Sequence, residues 1–510
     1  MEPPSPVPDP ALAPLETPSP EQSVANIKRS SARGGAITMV SQGAAIILQL
    51  TSTMVLARLL GPAEYGVIAM VAAVTAFAGL FRDLGLSAST IQRAQINNQQ
   101  LSTLYWVNVT IGALLTGVTA ASAPLVAWFY GRPELVPVTI ALAFTFVLGS
   151  FGTQQSALLN RNMQFGRLAI ATLSGAFLSV LVSIILAFQG QSYWSLVWGN
   201  LAGAALTSIL LNVLSGWRPG AAVRGSGLRS MLAFGANITA FDLVNYFQRN
   251  LDNILIGRFA GANALGLYSR AYALLMFPVQ NIRGPINAVA FPALSRLQDR
   301  PAEFRAYYLS TTRLIAFLSM PLTAFLFVTS DAIIRIGLGP EWLRASSIFS
   351  YLAIAAFIQP ASGLGGSLLL ARGDSRRYFQ CGLFNAAVLS LSFVVGLPWG
   401  PEGVALAYAV GNYVVLYPWL RWAFQGSPVT FGSFAAVCAW PATVSVIAAA
   451  VVFASRFFIR PGTAWLELLL AGVLFVIVVV PPLFLTAGGK AQVTLVRNLI
   501  AQLRSPNVAG

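Results

Sequence analysis

Six side chains able to bind charge or polar cargo crowd into one stretch of a long, otherwise apolar sequence. They are Asp242, Asn245, Gln248, Arg249, Asp252 and Asn253. At about 100° per residue, Asp242, Asn245, Arg249, Asp252 and Asn253 fall within roughly a 100° arc of one helix. The opposite face is Phe, Leu and Ile. Two arrangements suit such a stripe. It can line a hydrated cavity that binds a polar substrate, or it can satisfy itself, with Arg249 paired to Asp252 at i,i+3 or to Asp242. A milder stripe, Gln42, Gln49, Ser52 and Thr53, occurs about 200 residues earlier. Arg270 and Arg283 follow in the next apolar run and suit either the same cavity or the membrane interfaces, where long basic side chains snorkel. Covalent chemistry is poorly served. The chain has no His, the commonest general base and metal ligand, and its two cysteines, Cys381 and Cys438, sit in apolar runs.

The elements that must carry these residues are membrane helices. Of 510 residues, 56% are hydrophobic and 9% are charged, against about 25% charged in an ordinary soluble domain. Apolar runs near 20 residues recur along most of the chain, and each is long enough to cross a bilayer. Fourteen such spans are expected between residues 36 and 487, with the stripe in the seventh, 231–256, and Arg270 and Arg283 in the eighth, 264–291. In lipid a charge near the bilayer centre costs about 2.5–3.5 kcal/mol, so the stripe must face water or partner side chains.

Charge then sets orientation. About three times as many Lys and Arg fall on the side of both termini as on the other, which places both termini in the cytoplasm. The net charge of +15 is accounted for by those basic loops and by anionic lipid. No loop is long enough for a nucleic-acid-binding fold. Residues 1–30, rich in Pro, are expected to be a disordered cytoplasmic tail, with no signal peptide.

The sequence also repeats. Gly35, Ala36, Arg58, Gly61 and Gly66 match Gly235, Ala236, Arg258, Gly261 and Gly266 at an offset of 200. Leu158–Arg161 (LLNR) echoes Leu369–Arg372 (LLAR) at an offset of 211. Arg58 and Arg258 each lie just past a span, where a cation suits a helix C-terminus. The expected fold is therefore an all-α polytopic membrane protein: a six-helix lobe over 31–218, a second over 219–425, two additional helices over 426–490, and a cytoplasmic tail over 491–510. Six spans per lobe make the repeat parallel, with the lobes facing across a cleft. Prolines 278, 285, 321, 360, 418 and 441 fall inside spans, where they kink helices.

Leu251–Pro278 (LDNILIGRFAGANALGLYSRAYALLMFP) followed by Val289–Gln298 (VAFPALSRLQ) resembles the signature of polysaccharide transporters in the multidrug/oligosaccharidyl-lipid/polysaccharide flippase superfamily. Ala57–Gly66 and Ala157–Phe165 resemble the matching N-terminal signature. The likeness is to Wzx-type flippases of the colanic acid and succinoglycan exporter branch, over about residues 30–425. It implies a V-shaped fold like that of multidrug (MATE) and MurJ-type transporters. It implies inner-membrane export of an undecaprenyl-diphosphate-linked oligosaccharide by alternating access, for exopolysaccharide, capsule or lipopolysaccharide. No cofactor is expected beyond coupling to a proton or sodium gradient, and a polymerase and chain-length regulator are expected partners. On that resemblance Arg249, Arg270 and Arg283 would hold the diphosphate. Asn245, Gln248, Asn253 and Gln49 would meet the sugar, and Asp242 or Asp252 would carry the coupling ion. Two other functions are weighed: a drug or metabolite antiporter of the same superfamily, and a polysaccharide polymerase or O-antigen ligase. The latter family carries a long periplasmic loop that this sequence lacks.

Overall fold

The computed structural model describes residues 20–83, 85–92, 96–222, 228–458 and 462–504, so the tail expected over 1–30 lies outside the described residues up to position 19. Among the described residues every regular element is helical. The helices are α1 (Pro20–Leu59), α2 (Pro62–Gly79), α3 (Leu86–Gln92), α4 (Asn98–Tyr130), α5 (Leu135–Arg161), α6 (Phe165–Phe188), α7 (Trp194–Ser215), α8 (Leu228–Arg296) and α9 (Pro301–Val328). They continue as α10 (Ser330–Gly337), α11 (Ala345–Ser362), α12 (Leu364–Ala371), α13 (Ser375–Gly396), α14 (Gly400–Phe424), α15 (Phe431–Ser455), α16 (Ala464–Leu485) and α17 (Ala487–Arg504).

Local signals explain the helix ends. Asn97 accepts from the Gln100 amide at 2.8 Å while the Gln100 side chain accepts from the Asn97 amide at 3.2 Å. This reciprocal cap satisfies orphan donors at the start of α4. Thr430 and Ser433 start α15 in the same way. Proline opens α2 and α9, where its missing N–H costs nothing. The 22 residues of α16 extend about 33 Å at 1.5 Å each, enough for a hydrocarbon core of about 30 Å.

Among the described residues, eleven helical segments are long and apolar enough to cross a membrane, and one of them, Ser375–Phe424, contains both α13 and α14. The 69 residues of α8 are not one rod, and each side of its break is long enough to cross a bilayer. Gly261 has φ 84° and ψ 178°, outside any helix. The Tyr268 hydroxyl donates to an Asp252 oxygen at 2.8 Å, whereas sixteen residues of continuous helix would hold them about 24 Å apart. The chain therefore doubles back at Gly261 as two arms, 228–260 and 262–296. About fourteen spans are consistent with this count. The prolines expected inside spans do lie within α8, α9, α11, α14 and α15, and Pro124, Pro481 and Pro482 join them in α4 and α16.

The chain forms two compact units, 1–250 and 251–510. In the first, α5 packs against α4 and α7, α6 packs on α7, and α1 lies on α6. In the second, α9 packs against α11 and α15, α14 packs on α13 and α11, and α16 adds to α15. Leu294, Phe304, Ile315, Leu368, Leu420 and Phe434 fill a core of the second unit. Small residues bring helices close, as expected where lipid removes the hydrophobic driving force between helices. A Cβ on Gly199 would sit 2.6 Å from the Ser179 carbonyl oxygen, so α7 meets α6 nearly backbone to backbone. Gly403 meets the Gly396 carbonyl where α14 leaves α13, and further along Gly411 meets the Ser392 side chain.

Burial is inverted relative to a soluble protein. Phe188, Trp128 and Leu391 are exposed, while Asn108, Gln154 and Gln155 are fully buried. An apolar outer surface over polar interior groups suits a lipid surrounding.

Candidate functional site

The second unit holds a buried polar network built from four helical segments. Asp252 sits on the first arm of α8, about two and a half turns before the fold-back, and is 6% exposed. Its oxygens accept from the Tyr268 hydroxyl, on the second arm, and from the Asn253 amide, each at 2.8 Å. Tyr268 is 1% exposed and stacks on Tyr272, one turn along, with ring centroids 6.4 Å apart.

A second set of bonds centres on Tyr408, half-buried on α14. Its ring stacks on Phe393 of α13 at 5.5 Å. Gln359, on α11, donates to the Tyr408 hydroxyl at 2.6 Å and to the Asn412 side-chain oxygen at 2.9 Å. Asn412 in turn donates to the Tyr408 carbonyl one turn before it, at 2.8 Å. In a low-dielectric interior each group left unsatisfied would cost about 1–3 kcal/mol, so the network specifies how these helices meet.

Arg283 closes the other side. The second arm of α8 carries it to the end of α11, where Gly363 makes room. A Cβ at 363 would lie 2.5 Å from Arg283 Nη2 and 3.2 Å from the Gln359 carbonyl oxygen. A guanidinium, a carboxyl group, two phenols and two amides thus gather around α8, α11 and α14. Such a set can bind a cation or proton at Asp252 and an anion at Arg283. It offers no nucleophile–base pair, and no cluster of three potential metal ligands occurs among the described residues.

The expected site residues divide by position. Asp252, Asn253 and Arg283 lie in or beside this network. Asn253 follows Asp252 directly, with its side-chain oxygen buried and unpartnered. Arg270 is half-buried on the second arm, Arg249 is exposed near the end of the first unit, and Gln49 is exposed on α1. The side chains of Asp242, Asn245 and Gln248 lie outside the described residues. The sequence reading missed Tyr268, Tyr408, Gln359 and Asn412. The signal was present in part: Tyr408 and Asn412 are spaced i,i+4 on an otherwise apolar span.

The first unit has a polar interior of its own, also missed. Thr90 donates to the Gln154 side-chain oxygen at 3.0 Å, and Arg161 donates to the Thr90 carbonyl at 2.8 Å. Gln155 donates to the Asn212 side chain at 2.7 Å, tying α5 to α7. That bond is a counterpart to the Gln359–Asn412 bond between α11 and α14.

Repeated geometry extends to the helix ends. Arg167, in the first turn of α6, donates to Gln164 and to the Leu214 carbonyl at the end of α7, each at 3.1 Å. Arg377, in the first turn of α13, pairs with Asp374 at 3.3 Å and donates to the Gln425 carbonyl after α14 at 2.7 Å. The three pairs of positions match at offsets of 210, 210 and 211.

The sequence matches the polysaccharide biosynthesis protein family over residues 55–347, more than half of the chain. It is 32% identical to the teichuronic acid biosynthesis protein TuaB of Bacillus subtilis (strain 168) over 370 residues, covering 72% of this chain and 77% of that protein. It is 26% identical to the lipopolysaccharide biosynthesis protein WzxC of Escherichia coli (strain K12) over 368 residues, covering 71% of this chain and 74% of that protein. Among solved structures, the lipid II flippase MurJ in an inward closed conformation aligns with a TM-score of 0.71, over 92% of this chain and 100% of that one. At 15% sequence identity, that likeness is one of fold.

Proposed function

The chain belongs to the polysaccharide biosynthesis protein family, and from that membership we propose that it flips an undecaprenyl-diphosphate-linked oligosaccharide across the bacterial inner membrane. It is a multi-pass membrane transporter of polysaccharide biosynthesis with the fold of the flippase superfamily. The proposal adds the cargo, the cycle and the coupling. Both termini are cytoplasmic, and the cargo serves exopolysaccharide, capsule or lipopolysaccharide.

The observation that carries the proposal is the buried Asp252–Tyr268 hydrogen bond, held in the same unit of apolar spans as the bonds from Gln359 to Tyr408 and Asn412. Membranes tolerate an interior carboxyl group where it works, because its desolvation must be offset by partners. Asp252 takes up the coupling proton or sodium ion, and its occupancy biases the meeting of the two α8 arms with α14. Arg249, Arg270 and Arg283 hold the diphosphate by charge-assisted hydrogen bonds, which lipid surroundings strengthen. Gln49, Asn245, Gln248 and Asn253 meet sugar hydroxyls. Alternating access then carries the polar headgroup past the apolar core while the isoprenoid tail stays in lipid.

Deleting the gene should leave lipid-linked oligosaccharide on the cytoplasmic leaflet and stop polymer export. Arg249→Ala should reach the membrane but fail to restore export. Normal export from that variant would remove Arg249 from the site. A deletion that raises drug sensitivity and spares the polymer would make the chain a drug antiporter instead. Single repeat units accumulating on the outer leaflet would mark a polymerase or ligase.

A further inference from the structure

The last helix, α17, stands outside both polar networks and is built unlike a span. Thr486 ends α16 with extended backbone (φ −102°, ψ 150°), and its hydroxyl then accepts from the Gly489 amide at 3.0 Å and from the Trp440 indole at 2.8 Å. A Cβ on Gly489 would collide with the Pro482 carbonyl oxygen and lie 2.5 Å from the Leu483 Cα. The first turn of α17 is therefore folded against the last turn of α16 and cannot prolong its axis. Since α16 spans the bilayer, its end lies at a membrane surface, and α17 leaves that corner packed against α16 and α9.

The sequence of α17 suits this course. Positions 490, 497 and 504 carry Lys, Arg and Arg, and heptad spacing keeps them within roughly a 40° arc of the helix. Positions 493, 496, 500 and 503 carry Val, Val, Ile and Leu on the arc beside them. Lys490, Val493 and Arg497 are exposed, whereas Gln492 is buried against the unit. No Asp or Glu follows Glu467 anywhere in the sequence. A basic rim along an apolar stripe is the pattern of a helix lying in the headgroup layer.

We infer that α17 is an interfacial helix that binds anionic phospholipid headgroups through Lys490, Arg497 and Arg504, with its apolar stripe at the top of the acyl chains. Charge complementarity selects this occupant. Each basic side chain near an anionic surface contributes about a five-fold gain in association, so three together give on the order of 100-fold.

The test uses the full-length protein in detergent micelles, with Cys381→Ala and Cys438→Ala and a fluorophore on Val493→Cys. Brominated phosphatidylglycerol should quench the label at a concentration on the order of 100-fold lower than brominated phosphatidylcholine. Lys490→Gln/Arg497→Gln/Arg504→Gln should abolish that preference. The charge-conserving set Lys490→Arg/Arg497→Lys/Arg504→Lys should keep it, which separates lost charge from lost folding. Equal quenching by both lipids in the labelled parent, or a preference that survives the Gln set, overturns the inference. Neither readout involves the transported cargo, so it stands or falls separately from the flippase proposal.

Discussion

The Tyr268 hydroxyl meets the Asp252 carboxyl group at 2.8 Å across a fold-back in a helix, with both side chains almost wholly buried. The bond closes a hairpin between two membrane arms. It also fixes the position of the one acidic side chain in the buried network, so that it is structural and, in the transport cycle proposed above, functional as well.

Removing the donor should therefore cost stability as well as activity. Tyr268→Phe keeps the ring and its stacking on Tyr272, and should destabilise the protein by about 1–3 kcal/mol, the range for a buried partner left unsatisfied. Asp252→Asn should cost less, since an amide oxygen still accepts, but should abolish gradient-driven export. Thermal unfolding in detergent of both single variants and the double variant checks the first claim. A double variant as unstable as the sum of the singles would show that the two groups do not interact.

Gly61 and Gly261 sit at matching positions of the repeat, yet their backbones differ. Gly261 adopts φ 84° with ψ 178°, a region open almost only to glycine, and a Cβ there would touch nothing within 4 Å. Its constraint is purely conformational. Gly61 has φ −78° and ψ 175°, ordinary extended backbone. Gly261→Ala should lose about 1–3 kcal/mol, while Gly61→Ala should lose no more than about 1 kcal/mol as a poorer cap of α2. Thermal melts of the two variants side by side give the comparison.

Sequence and structure diverge at identifiable places. The spans were legible because bilayer thickness forces long apolar runs, and Asp252 was legible because a carboxyl group in such a run is costly. Its partner was not. Tyr268 reads as an ordinary aromatic until the chain turns at Gly261. Gln359 and Asn412 are single amides in hydrophobic helices, which a hydropathy window averages away. The same averaging hid Asn108, Gln154 and Gln155. The stretch from 491, expected as a tail, is helical to Arg504; its apolar residues recur at helical spacing but are too few to register as a span.

Arg167 and Arg377 show how the repeat survives where sequence identity does not. Each ties the first turn of one helix to a carbonyl at the end of the next, although the capping partner is Gln164 in one case and Asp374 in the other. Arg167→Ala and Arg377→Ala should each cost about 1 kcal/mol, because both contacts are partly exposed and water replaces much of what is lost. The loss at Arg377 should shrink further in high salt, since its partner is charged. Melting curves at low and high ionic strength would show it, and an equal salt response for both variants would contradict it.

Arg283 offers a way to perturb the site without touching its charge. Gly363 leaves the space that the guanidinium occupies, and a methyl group there would stand 2.5 Å from Nη2. An arginine head is flexible, so Gly363→Ala should cost little stability while pushing the guanidinium away from Tyr408 and the network. If Arg283 holds the diphosphate, export should fall in Gly363→Ala about as far as in Arg283→Ala, at unchanged protein level in the membrane. Arg283→Lys should keep a charge but lose bidentate geometry, and should fall between them and wild type. Full export from Gly363→Ala and Arg283→Ala would assign Arg283 to packing at the end of α11 alone. Lost export in Arg283→Ala with full export in Gly363→Ala would mean that the guanidinium works from more than one position.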